Sequence, residues 1–148
     1  MQAFVVGNAA MDKTLAVSAL PQPGASILGH EIARDLGGKG VNQAVVLARC
    51  GVGVTLLAPV GRDARGTEIA DRLRREPLTA RLVELDGVTS DASTILQVRE
   101  GENAVITTNA AAVALTPQVA CAAIEAGHPG DMLVLQGNLS AETTAALV

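Results

Sequence analysis

The sequence predicts an α/β fold: a parallel sheet with helices on both faces. Three observations carry that prediction. Short apolar runs of strand length alternate with helix-like runs. The links between them are short and contain glycine. Apolar residues make up 49% of the 148 residues, with 15 Gly and 6 Pro, which suits one folded domain with its own core and not a disordered chain. The domain is taken as residues 1–148, with insertions at about 13–36 and 91–110.

The elements follow in order. Residues 3–6 form a short apolar run that ends at Gly7-Asn8, a buried first strand. Residues 41–49 are apolar all round and stop at Gly51, a buried helix. Residues 54–60 are the second strand. A helix opens at Asp63 or Ala64 and runs to Arg75, with Ile69, Ala70 and Leu73 on one face and Pro77 beyond its end. Residues 81–85 are the third strand. Thr116 caps a helix with Pro117 at its first position, reaching about residue 126, and residues 132–135 are the fourth strand. Ligands on such sheets bind beyond the carboxyl ends of the strands, here Gly7-Asn8, Gly61-Arg62-Asp63 and Gln136-Gly137-Asn138.

Two segments break the alternation. Residues 15–36 hold the turn Pro21-Gln22-Pro23-Gly24 between two strand-like pieces, and residues 93–108 read as a hairpin around Arg99-Glu100-Gly101-Glu102-Asn103. Together they predict a small antiparallel flap over the ligand site. At the other end, Ser140 caps a helix that has run only a few residues when the chain stops at Val148. That pattern predicts an element cut in the middle and a longer parent protein.

Composition excludes several functions. With one Phe and no Trp or Tyr, the chain lacks an aromatic platform for stacking bases. The net charge of −4 and the absence of any basic run beyond Arg72, Arg74 and Arg75 leave DNA and anionic membranes without electrostatic support. The longest uncharged run, 103–124, contains Thr107, Thr108, Asn109, Thr116, Pro117 and Gln118 and is not a membrane span. Residues 1–6 have neither a basic segment nor a long apolar one, so a cytoplasmic location is expected. Cys50 and Cys121 are far apart and are expected to be buried, reduced thiols.

The segment Leu36-Gly37-Gly38-Lys39-Gly40-Val41-Asn42-Gln43-Ala44 is the strongest functional signal. Glycines allow a close backbone approach to a ligand, and N–H groups at a helix start favour oxygen-rich or anionic groups. Lys39 adds charge, and Asn42 adds a donor and an acceptor. It is not a Walker A loop, because Lys39 is followed by Gly40 and not by Ser or Thr. No Gly-x-Gly-x-x-Gly follows the first strand, so a dinucleotide site has no support. Asp12, a few residues past that strand, can accept two hydroxyl hydrogen bonds from a polyol.

Gly37-Gly38-Lys39-Gly40-x-Asn42-Gln43-Ala44 followed by Ala48-Arg49-x-Gly51 resembles the first signature of the PfkB-type, ribokinase-like carbohydrate kinases. Gly7-x-x-x-x-Asp12, Leu20-Pro21-x-Pro23-Gly24 with Gly29, Gly61-x-Asp63-x-x-Gly66 and Gly101-Glu102-Asn103 are similar to further family motifs, in register along essentially the whole chain. The resemblance implies a partial Rossmann-like ribokinase fold with a β-lid that mediates homodimerisation. It implies transfer of the ATP γ-phosphoryl group to a sugar hydroxyl, with Mg2+. It places Asp12, Gly38, Lys39, Gly40, Asn42 and Asn138 at the sugar. Two positions depart from the ribokinase pattern: Ala10 stands where an asparagine is common, and Asn138 where a glutamate is common. The implied substrate is therefore a sugar or similar polyol, not ribose in particular.

The family's Gly-x-Gly-Asp motif, with its catalytic base and anion hole, belongs to a second half that these residues do not contain. Gly127-His128-Pro129-Gly130-Asp131 leads into a strand and reads as a turn. His30 and His128 have no nucleophile or ligand cluster beside them. The chain by itself is expected to position the acceptor and to be inactive as a kinase. The alternatives are a non-catalytic dimerising or polyol-binding module and a nucleoside kinase of the same family, the latter weakened by the lack of aromatics.

Overall fold

The computed structural model describes residues 1–99, 101–136 and 138–148. Glu100 in the anticipated hairpin loop and Gly137 in the anticipated strand-end triplet lie outside the described residues. The elements run β1 (Gln2–Val6), β2 (Ala10–Val17), β3 (Gly29–Gly37), α1 (Lys39–Arg49), β4 (Gly53–Gly61), α2 (Ala64–Leu73), β5 (Thr79–Leu85), β6 (Asp91–Val98), β7 (Asn103–Thr107), α3 (Ala110–Ala114), α4 (Pro117–Ile124), β8 (Met132–Leu135) and α5 (Ala141–Ala146).

Two four-stranded sheets result. The core sheet has the order β5-β4-β1-β8 and is parallel throughout. β1 and β4 are central, which is why their residues form continuous apolar runs: both faces are covered. On one face Ala3, Val5, Val54, Leu56, Ala58 and Val60 pack with Val41, Ala44 and Ala48 of α1 and Ile69 and Leu73 of α2. On the other, Val6 and Leu57 meet Leu115, Ala120, Ala123, Leu139 and Leu147 around α4 and α5. The α/β class with helices on both faces is thus the fold observed.

The second sheet has the order β3-β2-β6-β7. It is mixed, not antiparallel as anticipated. β2–β3 and β6–β7 are antiparallel hairpins, but they join through the parallel pair β2–β6. β1 and β5 run the same way in the core sheet, so β2 and β6, which follow them, set out with the same sense and pair in parallel. A register shift between Thr14 and Leu15 bends the β2–β3 pair.

Other expectations are corrected. α1 is not buried all round: Val46 is 61% exposed, because only the Gly40–Val41–Ala44–Ala48 face meets the sheet. Cys50 is exposed and Cys121 half-buried, both as free thiols, since Cys50 sits at the C-terminal end of α1 beyond its packed face. Thr116 makes no side-chain cap bond to α4. The short helix α3 was not anticipated. The turn before β8 is a turn as expected: the Asp131 carboxylate accepts from the Gln2 N–H at 2.7 Å and the His128 N–H at 3.0 Å. Those two donors hold its pKa below the ordinary value. Among the described residues no helix is long and apolar enough to cross a membrane.

Candidate functional site

The glycine-rich segment forms the junction between β3 and α1, at the carboxyl end of β1. Gly38 is the residue before the helix, with φ 96. A side chain there would be strained by the backbone alone, and its Cβ would lie 2.7 Å from the Asn8 carbonyl oxygen. Gly40 packs backbone to backbone on Gly7, with an added Cβ only 2.8 Å from the Gly7 Cα. Gly7 in turn abuts Gln136 at the end of β8, where an added Cβ would come within 2.7 Å of the Gln136 Cβ. The start of α1 is therefore wedged against the ends of β1 and β8.

Asn8 holds this junction. It is 1% exposed; its Oδ1 accepts from the Gly40 N–H at 3.3 Å and its carbonyl from the Val41 N–H at 3.2 Å. Two of the N–H groups at the start of α1 are thereby satisfied internally. The role of Gly40 is thus close packing, and its amide is already engaged. In the sequence Asn8 marks only a strand end, one glycine beyond the apolar run 3–6.

Asp12, a few residues past β1, lies inside β2, where its carboxylate sits over Gly37. A Cβ on Gly37 would overlap that carboxylate. Asp12 Oδ1 is buried and has no hydrogen-bond partner among the described residues. Register places Asp12 opposite Asp35 of β3 and Ser93 of β6, and Ser93 opposite Thr107 of β7. Paired residues share a sheet face, so the row Asp35–Asp12–Ser93–Thr107 crosses one side of the second sheet. Thr107 Oγ1 donates to Ser93 Oγ at 3.2 Å. Asp35, Ser93 and Thr107 were not anticipated. Their neighbourhood to Asp12 depends on strand pairing between distant segments.

The remaining anticipated residues are placed as follows. Lys39 and Asn42 are exposed on the first turn of α1, and their side chains make no hydrogen bond or ion pair among the described residues. Asn42 borders an open apolar hollow with Gln43, Val46, Leu47, Met132 and Val134, between α1 and β8. Asn138 is half-buried just after β8, and its N–H donates to Gln136 Oε1 at 2.8 Å. Asp12 is joined to the glycine segment through Gly37, and the end of β8 is joined to it through Gly7. No described contact joins Lys39, Asn42 or Asn138 to Asp12. Chemically, the arrangement offers a carboxylate with one buried, unpaired oxygen in β2 and an exposed amide and ammonium group on the first turn of α1.

Comparison with known proteins agrees with this architecture. Residues 2–148 match the model of the pfkB family carbohydrate kinases. The ribokinase of Bacillus subtilis is 31% identical over 139 residues, covering 94% of this chain and 47% of that protein. The ribokinase of Mus musculus is 34% identical over 104 residues, covering 69% of this chain and 32% of its own length. Among solved structures, ribokinase from Thermotoga maritima superposes with a TM-score of 0.84 at 25% identity, covering 97% of this chain and 48% of that one. Arabidopsis thaliana ribokinase, solved with ribose and ATP, shares the fold with a TM-score of 0.76 at 20% identity, covering 99% of this chain and 49% of that one. The chain spans about half the length of the ribokinases from Bacillus subtilis and Thermotoga maritima.

Proposed function

This chain belongs to the pfkB family of carbohydrate kinases, and on that premise we propose that it is the sugar-binding and lid portion of an ATP-dependent kinase acting on a sugar hydroxyl. The observation that carries the reading is the orphaned Asp12 Oδ1. A buried acceptor without a donor costs free energy, about 1–3 kcal/mol and more when charged. A rotation of the Asp12 side chain that brings this oxygen to a sugar hydroxyl beside the start of α1 would supply the missing donor. The glycines let the start of α1 pack closely on residues 7–10 and on the Asp12 carboxylate, and Lys39 and Asn42 on the first turn of α1 and Asn138 after β8 are the further groups we assign to the sugar. The sequence departures at Ala10 and Asn138 keep the substrate class at sugar or polyol.

Among the described residues no group of three or more His, Cys, Asp or Glu is placed to hold a metal. The Gly-x-Gly-Asp motif falls outside these residues, and we assign ATP, Mg2+ and the general base to the part of the family fold that this chain does not span. In-line phosphoryl transfer needs all three together with the acceptor. The chain alone is expected to bind a polyol and to give no sugar-dependent ATP turnover in a coupled assay. Turnover by the 148-residue chain would overturn that assignment.

The binding claim has its own test. Titration calorimetry with a panel of pentoses, hexoses and alditols should show at least one saturable ligand. Asp12→Asn should weaken it roughly ten- to a hundredfold, the loss of one or two hydrogen bonds to a charged group. Equal affinity in both proteins would remove Asp12 from the site.

Homodimerisation through the lid is part of the same proposal. It is supported by exposed apolar residues on the second sheet and its turn, with Leu28 95% exposed and Ile32, Val105 and Ile106 also open. A non-catalytic dimerising module rests on the same surface. A nucleoside kinase finds less support: Phe4, the sole aromatic residue, is buried in β1 and packs toward Gly127, so no ring is free to stack on a base.

A further inference from the structure

The chain passes between the core sheet and the second sheet at residues 7–9, 37–38, 86–90 and 108–109. Asn8 and the glycine contacts hold the first two crossings. The other two are held by carboxylates that the sugar site does not use.

Asp63, in the turn after β4, accepts from the Ser90 N–H at 2.9 Å and from the Ser90 hydroxyl at 2.8 Å. Its Oδ1 also caps α2 through the Gly66 N–H at 2.7 Å. The Gly61 N–H donates to Ser90 Oγ at 2.9 Å. The glycines of Gly61-x-Asp63-x-x-Gly66 make room for this crossing. A Cβ on Gly61 would overlap the Val88 carbonyl oxygen, and one on Gly66 would overlap the Gly61 carbonyl oxygen.

The next residue, Asp91, is fully buried at the start of β6. Its two oxygens accept from the Ala111 and Ala112 N–H groups, at 3.0 and 3.1 Å, in the first turn of α3. α3 packs on β4. Asp91 therefore ties a lid strand to a helix seated on the core sheet. Burying a carboxylate is costly, and close packing alone does not require one.

We propose that Asp63 and Asp91 are positioning residues that together set the angle of the lid sheet over the core. Asp91 pairs with Ala10, two residues along the strands from the Asp12–Ser93 pair. A tilt at Asp91 therefore moves Asp12 relative to the start of α1. The functional meaning of this role rests on reading Asp12 as a sugar ligand; the geometry does not.

The test uses native Cys50, exposed at the end of α1, as one spin-label site. Ser18→Cys, exposed beyond β2, supplies the second, in a chain carrying Cys121→Ala. Pulsed electron–electron double resonance then reads the core-to-lid distance. The otherwise unaltered chain, diluted into an excess of unlabelled chain so that only distances within one protomer are read, should give one narrow distribution. Asp91→Asn, Asp91→Ala and Ser90→Ala should each shift or broaden it. Amide exchange at 111 and 112 should accelerate at least about tenfold in Asp91→Ala, while Val5 and Leu56 exchange as before. If Asp91→Ala does not fold, Asp91→Asn and Ser90→Ala decide, because both keep the shape of the site. Distance distributions in those two that superimpose on the parent's would overturn the proposal. So would acceleration at Val5 and Leu56 equal to that at 111 and 112. Polyol titration separates this idea from the last: a lid that shifts in a chain that binds no polyol retains the positioning role and sinks the sugar reading.

Discussion

At the scale of single residues, the carboxylates Asp12, Asp63 and Asp91 share a charge and differ in everything around it. Asp12 has a buried oxygen without a donor. For Asp63, burial pushes the pKa up, but the Ser90 and Gly66 N–H groups, the Ser90 hydroxyl and the charge of Arg65 outweigh it, and the net shift is down. For Asp91, burial dominates and raises the pKa, while the Ala111 and Ala112 N–H groups and Arg65 only oppose it. Opposite shifts give opposite pH dependence. The contribution of Asp63 is present above its unfolded value and is lost as pH falls through its lower folded value. That of Asp91 declines as pH rises from its unfolded value through its higher folded one, because the folded chain there binds the extra proton. Urea unfolding across acidic pH should show that Asp63→Asn flattens the acid-side loss and Asp91→Asn removes the decline above it. Identical pH slopes in both variants and the unaltered protein would contradict the assignment. None of these differences can be read from the letters, because burial and donors come from other segments.

At the scale of elements, local rules worked where their partners were local. Ser140 was read as a cap, and its Oγ does accept from the Thr143 N–H at 3.0 Å. The Thr143 hydroxyl then donates to the Leu115 carbonyl at 2.6 Å, which seats the short α5 on the core. Thr116 was read the same way and makes no such bond, although Pro117 stands at the helix start as expected. Ser140→Ala should therefore cost about 1 kcal/mol of stability, and Thr116→Ala no more than a few tenths, in equilibrium urea unfolding. Equal losses would show that Thr116 caps in solution. Helix α3 leaves no signal in the sequence because five residues, Ala110–Ala114, are too short to show a period. What fixes its start is the Asp91 carboxylate, some twenty residues earlier in the chain.

At the scale of the whole molecule, the core sheet ends at β8, whose far side pairs with no strand among the described residues. Met132 and Leu133 remain 39% and 38% exposed, and Val46 faces the same hollow from α1. An unpaired edge beside an apolar patch favours association. Light scattering after size-exclusion chromatography should find species larger than a dimer, reduced to a dimer by Val46→Lys with Met132→Lys. A monomeric unaltered chain with a sharp, high-temperature melt would count against both this surface and the lid interface. The sequence by itself determined the strands of the core sheet, the helices other than α3 and the glycine-rich start of α1. Those depend on apolar period, end signals and backbone freedom, all properties of neighbouring residues. Tertiary structure alone decided that β2 lies parallel to β6, that Asp12 shares a face with Ser93, and that Asn8, Asp63 and Asp91 bond across the crossings between the second sheet and the core. Those depend on which distant segments meet, and on the water that their meeting excludes.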